Sequence, residues 1–344
     1  MWYYLAMERE DKHMKDKIKV NISVFEKNFK MAKKAYVLNS SMEAAGCASA
    51  FIGDTEPVSE DSFLRAKLVV KKSTGILSTL GRGNAKQIVA ATVASEANPQ
   101  EAMNTIARIH KKLDSKFFNS DYLVLSAIMI FKNCEPSEYD AVIDRTRKIY
   151  TLVRKKHPMI TSREDLVNIT LMALSGQQPE YIFEKSEQYF EALKKYYRLK
   201  NKIQSIALML SVFDNPPIEQ AAFARDTQEK LKDFGVRFDS YGLPIIGAIS
   251  AIVSRSDMDM VCATIRDVSN ELKKIHGMGS MGAGKRIRNM IATAIVIDAY
   301  ASGKDSKVKN SVSSAIISAI IAVEIAVIVA ATSAAAASSA SASS

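Results

Sequence analysis

The chain has 344 residues, of which 47% are apolar and 24% charged, enough apolar material for one large core or two. Intrinsic disorder and a small disulfide-stapled fold are therefore excluded. Lys and Arg outnumber Asp and Glu by 47 to 37, and this formal charge of +10 favours acidic partners without identifying one.

The cysteines and the start of the chain indicate the cellular compartment. Cys47, Cys134 and Cys262 are far apart and odd in number, so they encode neither a disulfide framework nor a zinc knuckle. The apolar start, residues 1–6, is too short for the core of a secretory signal. Together these features predict a cytoplasmic protein.

In chain order, the first predicted elements form an N-terminal cap. A basic amphipathic helix is expected near residues 16–37, followed by helices over 41–52 and 60–79. We assign residues 1–80 to this helical cap and first hairpin.

A helical repeat with a period of about 40 residues dominates the chain, and we assign residues 81–302 to its hairpins. Nearly all-apolar segments begin at intervals of about 37 to 43 residues, near Ser41, Asn84, Asp121, Glu164, Lys202, Leu243 and Lys285. Segments that are apolar on every side predict buried helices.

A second helix follows each apolar segment. Breakers such as Asn98-Pro99 and Gln178-Pro179 mark where these helices start. Their apolar residues recur every three or four positions and give one buried stripe, as in Ala102, Ile106, Ile109 and Leu113. The units are therefore helix pairs. Stacked antiparallel pairs predict an all-α fold, either an α-solenoid or a compact helical repeat.

Charge is distributed unevenly along the second helices, with acids near their starts and bases near their ends. Eight lysines near these ends define a candidate basic ridge: Lys111, Lys112, Lys155, Lys156, Lys194, Lys195, Lys273 and Lys274. Bases at helix C-termini complement the helix dipole, which is one interpretation of the pattern. In a stacked array the same lysines would line up and bind phosphates or an acidic protein, which is the other.

Four aromatic residues accompany the basic ridge, namely Phe117, Phe118, Tyr196 and Tyr197. Aromatic rings beside lysines are able to stack on nucleic-acid bases. No nucleic-acid motif is present, so we expect these rings to pack between repeats.

A glycine-rich connection offers a second candidate site. Gly279, Gly282, Gly284, Lys285 and Arg286 form a candidate anion-binding loop, because residues 279–285 fit the G-x-x-x-x-G-K pattern of a phosphate-binding loop. The fit is incomplete: Arg286 replaces the Mg²⁺-binding hydroxyl, and a helix end rather than a strand precedes the loop. A simple helix–helix connection is the alternative, and an anion at the following helix N-terminus stays open.

The sequence assigns no catalytic residue, metal ligand or cofactor. Its four histidines, His13, His110, His157 and His276, lack metal-binding spacing, and no G-x-S-x-G motif is present. A protein without enzymatic activity is the favoured interpretation.

The end of the chain is predicted as an apolar helix over residues 303–332 and a disordered Ala/Ser tail over 333–344. Residues 312–330 are continuously apolar apart from Glu324. This segment either docks on the fold, mediates oligomerisation, or anchors the protein at the cytoplasmic face of a membrane.

Several short motifs resemble a known family. They are Phe118-Asn-Ser-Asp-Tyr-Leu-Val-Leu125, Gln204-Ser-Ile-Ala-Leu208 with its following Asp-Asn-Pro, Gly277-Met-Gly279 leading to Lys285-Arg286, and the Ala/Ser-rich apolar tail. The chain resembles the bacterial family known as domain of unknown function 4003. The resemblance implies a mostly helical cytoplasmic protein of Gram-positive bacteria, and it transfers no catalytic residue.

The leading functional hypothesis is a non-catalytic helical-repeat scaffold that binds a protein or another acidic macromolecule, nucleic acid included. One alternative is a nucleotide- or phosphate-binding protein, or an enzyme, that uses residues 277–286. Another is an adaptor anchored to a membrane through its C-terminal segment.

Overall fold

The computed structural model of the chain describes residues 2–35, 40–74, 80, 85–114, 120–238 and 242–303, with side chains described from Lys12 to Ser302. Within these ranges the protein contains fourteen helices and no strand. The helices are α1 (Trp2–Ala35), α2 (Ser41–Ser49), α3 (Glu60–Ser73), α4 (Ala85–Ala94), α5 (Pro99–Asp114), α6 (Asp121–Asn133), α7 (Tyr139–Lys156), α8 (Asp165–Leu174), α9 (Pro179–Leu193), α10 (Lys200–Leu210), α11 (Pro217–Asp233), α12 (Leu243–Ile252), α13 (Met258–Leu272) and α14 (Gly284–Gly303).

The predicted all-α fold of packed helix pairs is confirmed. The seven apolar segments become the seven even-numbered helices, and each begins within two residues of its predicted start. The first helix differs from its prediction, because α1 begins at Trp2 rather than near Asp16. No Pro or Gly interrupts residues 2–35, so the backbone has no reason to break there.

Two kinds of helix alternate along the chain. The even-numbered helices are buried on nearly every side, and in α8 every residue from Asp165 to Ala173 is buried. We call them the inner helices. The odd-numbered helices bury one stripe, as α5 does with Met103, Ile106 and Leu113, and we call them the outer helices. The difference follows from sequence, because a helix without a polar face has no side to offer to water.

The closest packing within each pair joins an outer helix to the inner helix that follows it, such as α5 with α6, α7 with α8, and α13 with α14. The sequence pattern grouped each apolar helix with the amphipathic helix after it instead. Periodicity identifies both members of a pair, but it carries no information about which neighbour provides more contact.

The inner helices close into a ring. Each contacts the next in the order α2, α4, α6, α8, α10, α12 and α14, and α14 returns to contact α2. The outer helices contact one another in the same sequence from α1 to α13, and α1 also packs along α14. The stacked hairpins therefore form a closed arrangement, not an open solenoid with two free ends.

Polar side chains fix the point of closure. Asp298 on α14 accepts a hydrogen bond from Asn21 Nδ2 on α1 at 3.0 Å, and its carboxylate lies 3.3 Å from Lys17 Nζ. Lys17 also donates to Ser302 Oγ at 2.7 Å. These groups join residues about 280 positions apart in the chain.

The predictions for residues 304–344 lie outside the described residues, as do those for Phe117 and Phe118. They include the apolar helix and anchor over 312–330 and the Ala/Ser tail.

Candidate functional site

The inner helices all begin toward one end of the ring. Gly277, just before α14, packs against Ser41 at the start of α2, and a Cβ added to Gly277 would lie 3.0 Å from Ser41 Oγ. Gln204, near the start of α10, donates to Asp165 at the start of α8 at 3.0 Å. Because each inner helix follows an outer helix antiparallel to it, the outer helices end where the inner helices begin. We call this the basic end.

The structure brings all eight lysines of the basic ridge to the basic end and leaves them all exposed. They lie on the last turns of α5 and α7 and directly after α9 and α13. The ridge is therefore bent around a ring, so its lysines surround one face of the molecule.

Acidic residues neutralise part of this ridge. Lys112 pairs with Asp140 on the next outer helix, while Lys194 and Lys274 pair with acids one turn back, each at 2.6 Å. By contrast, five ridge lysines form no ion pair within the described residues: Lys111, Lys155, Lys156, Lys195 and Lys273.

Other basic side chains at the basic end also form no ion pair within the described residues. Lys71 and Lys72 on the last turn of α3 are exposed, as are Lys200 at the start of α10 and Lys285 at the start of α14. The sequence analysis left Lys71 and Lys72 out of the ridge, although they occupy the same helix-end position as Lys111 and Lys112.

Several lysines instead join successive outer helices. Lys148 on α7 pairs with Glu180 on α9 at 2.7 Å, and Lys230 on α11 pairs with Asp259 on α13. The acids near helix starts therefore have a second partner besides the dipole of their own helix, namely a base on the preceding outer helix.

The candidate anion-binding loop is folded onto itself. The backbone N–H groups of Ala283 and Gly284 donate to the carbonyl oxygens of Gly277 and Gly279 at 2.9 and 3.0 Å, and Gly282 N–H donates to Gly279 at 3.1 Å. Phosphate-binding loops direct such N–H groups toward the ligand. Lys285 is exposed at the start of α14, while Arg286 is half-buried.

A buried arginine lies next to this loop. Arg288 is 5% exposed and donates from Nη1 to Met278 O at 2.6 Å. Within the described residues its Nε has no hydrogen-bond partner, and no carboxylate compensates its charge. Burial lowers the pKa of the Arg288 guanidinium. The sequence analysis did not select this residue, because a single arginine in a helix gives no pattern.

Buried polar side chains also lie at the starts of the inner helices. Asp165 accepts from Ser162 N–H at 2.7 Å in addition to Gln204. Asn289 on α14 donates at 3.2 Å to the carbonyl of Arg237, which precedes α12. Gln204 and Asn289 thus both use their amides to bond to groups at or just before the start of the preceding inner helix.

Tyr196 and Tyr197 are the two predicted ridge aromatics that lie within the described residues. Each lies against a basic group. Lys195 Nζ lies 5.7 Å from the centre of the Tyr196 ring, and Arg225 lies 6.0 Å from the centre of the buried Tyr197 ring. Tyr197 is therefore a packing residue.

A known protein family matches most of the chain. The model of a family described as a protein of unknown function, DUF4003, matches residues 28–333. The chain belongs to this family. Neither a curated protein nor a solved structure matches it.

The histidines of this DUF4003 protein lie apart from one another. His157 is the C-cap residue of α7, where its Nε2 lies 2.7 Å from Glu187 Oε1 and its ring lies against Phe190. His110 is buried, whereas His13 and His276 are exposed. No cluster of His, Cys, Asp and Glu suited to a metal ion occurs among the described residues.

None of the described helices of the DUF4003 protein is long and apolar enough to cross a bilayer.

Proposed function

We propose that the protein is a non-catalytic helical scaffold that binds an acidic macromolecule at the basic end of its ring. The observation that carries the proposal is the gathering of lysines without an ion pair around one face, among them Lys111, Lys155, Lys156 and Lys273. The three lone cysteines add the expectation of a reducing cytoplasm.

Helix dipoles alone do not account for this charge. Each helix C-terminus carries about half a negative elementary charge. The end of α7 presents Arg154, Lys155 and Lys156, three positive charges in its last turn. The N-termini of the inner helices lie at the same end and add further positive potential. An excess of positive charge therefore remains after the outer helix ends are neutralised, and it attracts a polyanion.

A salt-dependent binding experiment tests the proposal. Full-length protein is titrated with polyglutamate and with a generic duplex DNA at about 50 and about 300 mM salt. The test variant carries Lys111→Glu, Lys155→Glu, Lys156→Glu and Lys273→Glu. The control carries Lys12→Glu, Lys15→Glu, Lys19→Glu and Lys27→Glu, four exposed lysines on α1, so its net charge changes equally.

The expected result is binding at low salt that weakens steeply at high salt. The basic-end variant should bind at least about tenfold more weakly than the control variant. Equal losses in the two variants would assign the binding to net charge alone, and no binding of either polyanion at low salt would overturn the proposal.

A second candidate function is phosphate binding beside the glycine-rich loop, and Arg288 is the observation that favours it. A buried cation without a counter-charge is costly, and a bound anion would remove that cost. The inward N–H groups of Gly282, Ala283 and Gly284 favour the simple helix connection instead. Thermal stabilisation by millimolar phosphate or ATP, lost in Lys285→Ala and retained in Lys273→Ala, would support this function. No stabilisation would exclude it.

A further inference from the structure

Three connections at the basic end each expose one aliphatic side chain. Met159 lies between α7 and α8 and is 93% exposed, Leu199 lies between α9 and α10 and is 55% exposed, and Met281 lies between α13 and α14 and is fully exposed. All three connections join an outer helix to an inner helix, so they lie at the same end of the ring. We call these residues the apolar tips.

Basic residues flank each apolar tip. Met159 follows Lys155 and Lys156, and Leu199 lies between Arg198 and Lys200. Met281 lies between Lys274 and Lys285. Of these basic residues, only Lys274 forms an ion pair within the described part of the chain. Each tip is thus an apolar group surrounded by positive charge.

The opposite end of the ring also exposes apolar side chains, but next to carboxylates. Tyr181, Ile218 and Met260 are exposed on the first turns of α9, α11 and α13. Each is next to a carboxylate, namely Glu180, Glu219 and Asp259, and lysines of the preceding outer helices neutralise the first and the last of these. The two ends therefore resemble each other in apolar exposure and differ in charge.

The form of the apolar tips points to a lipid surface rather than to another class of polyanion. The tips are separate aliphatic groups on different connections, whereas a protein interface is built around a contiguous apolar core. None of them is aromatic, whereas single-stranded nucleic acids are held by stacking on aromatic rings. A bilayer accepts separate aliphatic groups at its headgroup boundary while its anionic headgroups attract nearby lysines.

We propose that the basic end docks on the surface of an anionic phospholipid bilayer, with Met159, Leu199 and Met281 inserted among the headgroups. The proposal rests on the proposed function, because it names the acidic partner of the same end. Docking of this kind needs no membrane-spanning helix, and it is separate from any contact made by residues 312–330.

Vesicle flotation with the full-length protein tests the proposal. Vesicles contain either phosphatidylcholine alone or equal parts of phosphatidylcholine and phosphatidylglycerol. The tip variant carries Met159→Ser, Leu199→Ser and Met281→Ser, and the matched control carries Tyr181→Ser, Ile218→Ser and Met260→Ser. Polyglutamate binding is measured on the same samples.

We expect the wild-type protein to bind the anionic vesicles at least about tenfold more strongly than the neutral vesicles. The tip variant should lose about fivefold or more of the vesicle binding while keeping its polyglutamate binding, and the control variant should keep both. Circular dichroism checks that the tip variant is folded, which we expect because all three changes are at exposed positions.

The other outcomes overturn the proposal in distinguishable ways. Polyanion binding without vesicle binding would reject the bilayer and leave the proposed function standing. Equal binding to both kinds of vesicle, unchanged in the tip variant, would assign membrane contact to another segment. Failure to bind polyanions and vesicles alike would remove both proposals.

Discussion

Asp165 is a carboxyl group whose environment decides its charge. It is buried at the start of α8, and its hydrogen-bond donors are the Ser162 N–H and the Gln204 amide rather than a cation. Burial raises the pKa of Asp165 to about 7, although both hydrogen bonds lower it. The carboxyl group is therefore partly protonated near neutral pH.

Replacing Asp165 with Asn should flatten the pH dependence of stability. The carboxyl group of Asp165 binds its proton more tightly in the folded protein than in the unfolded chain. Its contribution to the free energy of unfolding is therefore complete below about pH 4 and is lost as the pH rises through about 7. Between pH 5 and 8 the loss from this group is on the order of 2–3 kcal/mol. Denaturant unfolding at four pH values measures this loss, with Glu184→Gln on α9 as the exposed control. The same slope in wild type and Asp165→Asn would contradict the prediction.

The three cysteines are free and protected by burial. Cys47 and Cys262 are buried, and Cys134 is half-buried with its thiol donating to Ile130 O. Burial raises the pKa of Cys47 to about 12 and of Cys134 and Cys262 to about 11. The thiolate is the reactive form, so the folded protein holds little of it at pH 8.

Modification of the thiols should therefore depend on unfolding. At pH 8 we expect the thiols of the folded protein to react with a disulfide reagent at least about tenfold more slowly than those of the denatured protein. Cys134 should react first, and Cys134→Ser should remove most of the native-state reaction. Rapid modification of all three thiols in the native protein would show that α2 and α13, which bury Cys47 and Cys262, open frequently.

At the scale of elements, the connection before α14 is shaped by one close backbone contact. A Cβ on Gly282 would lie 1.9 Å from the carbonyl oxygen of Gly277, whereas a Cβ on Gly279 would have no atom within 4 Å. Two glycines of the candidate anion-binding loop therefore have different roles. Gly282 permits the loop to fold back, and Gly279 is not needed for space.

Substitution of these two glycines should separate the roles. Gly282→Ala forces the backbone of residues 277–282 to move and should lower the free energy of unfolding by about 2 kcal/mol or more. Gly279→Ala should change it by less than about 0.5 kcal/mol. Urea unfolding of both variants measures the difference, and equal values would show that the loop is less tightly folded than its hydrogen bonds indicate.

Two polar residues near the starts of inner helices form hydrogen bonds whose partners the sequence pattern does not reveal. Gln204 and Asn289 occupy similar positions near the starts of α10 and α14, and both bond to groups at or just before the start of the previous inner helix. A polar residue in an otherwise apolar segment is visible in the sequence. Its partner is not, because that partner lies about 40 to 50 residues earlier, in a connection without periodicity.

At the scale of the whole molecule, closure of the ring depends on contacts between its two ends. The Asp298 side chain is 6% exposed, and Lys17 holds it from α1. A nearly buried carboxylate is destabilised when it loses a cationic partner. This pair therefore couples the first helix to the last.

Lys17→Met should loosen that coupling. We expect the free energy of unfolding to fall by about 2 kcal/mol. This is less than the roughly 3–5 kcal/mol expected for a fully buried ion pair, because Lys17 is itself partly exposed. Lys19→Met is the control, since Lys19 pairs with Asp16 in an exposed setting worth about 0–0.5 kcal/mol. Hydrogen exchange should accelerate in α1 and α14 of the first variant only. Uniform acceleration over all helices would mean that the ring opens as one unit.

The sequence by itself determined the order and kind of the helices. Apolar periodicity, prolines in first turns and the segregation of charge along each amphipathic helix are properties of short segments, so they are readable without a fold. The exposure of Lys155 and Lys273 and the burial of α8 and α12 followed from them directly. The family resemblance, too, was available from short motifs.

Only the tertiary structure decided what those segments do together. Whether the array stays open or closes depends on Lys17, Asn21 and Asp298 meeting across about 280 residues, and no local pattern encodes such a distance. The structure also separated Lys112, neutralised by Asp140, from Lys111, which is not, and it placed Met159, Leu199 and Met281 around one face. Helix formation is governed by near neighbours in the chain, whereas closure and surface charge are governed by neighbours in space.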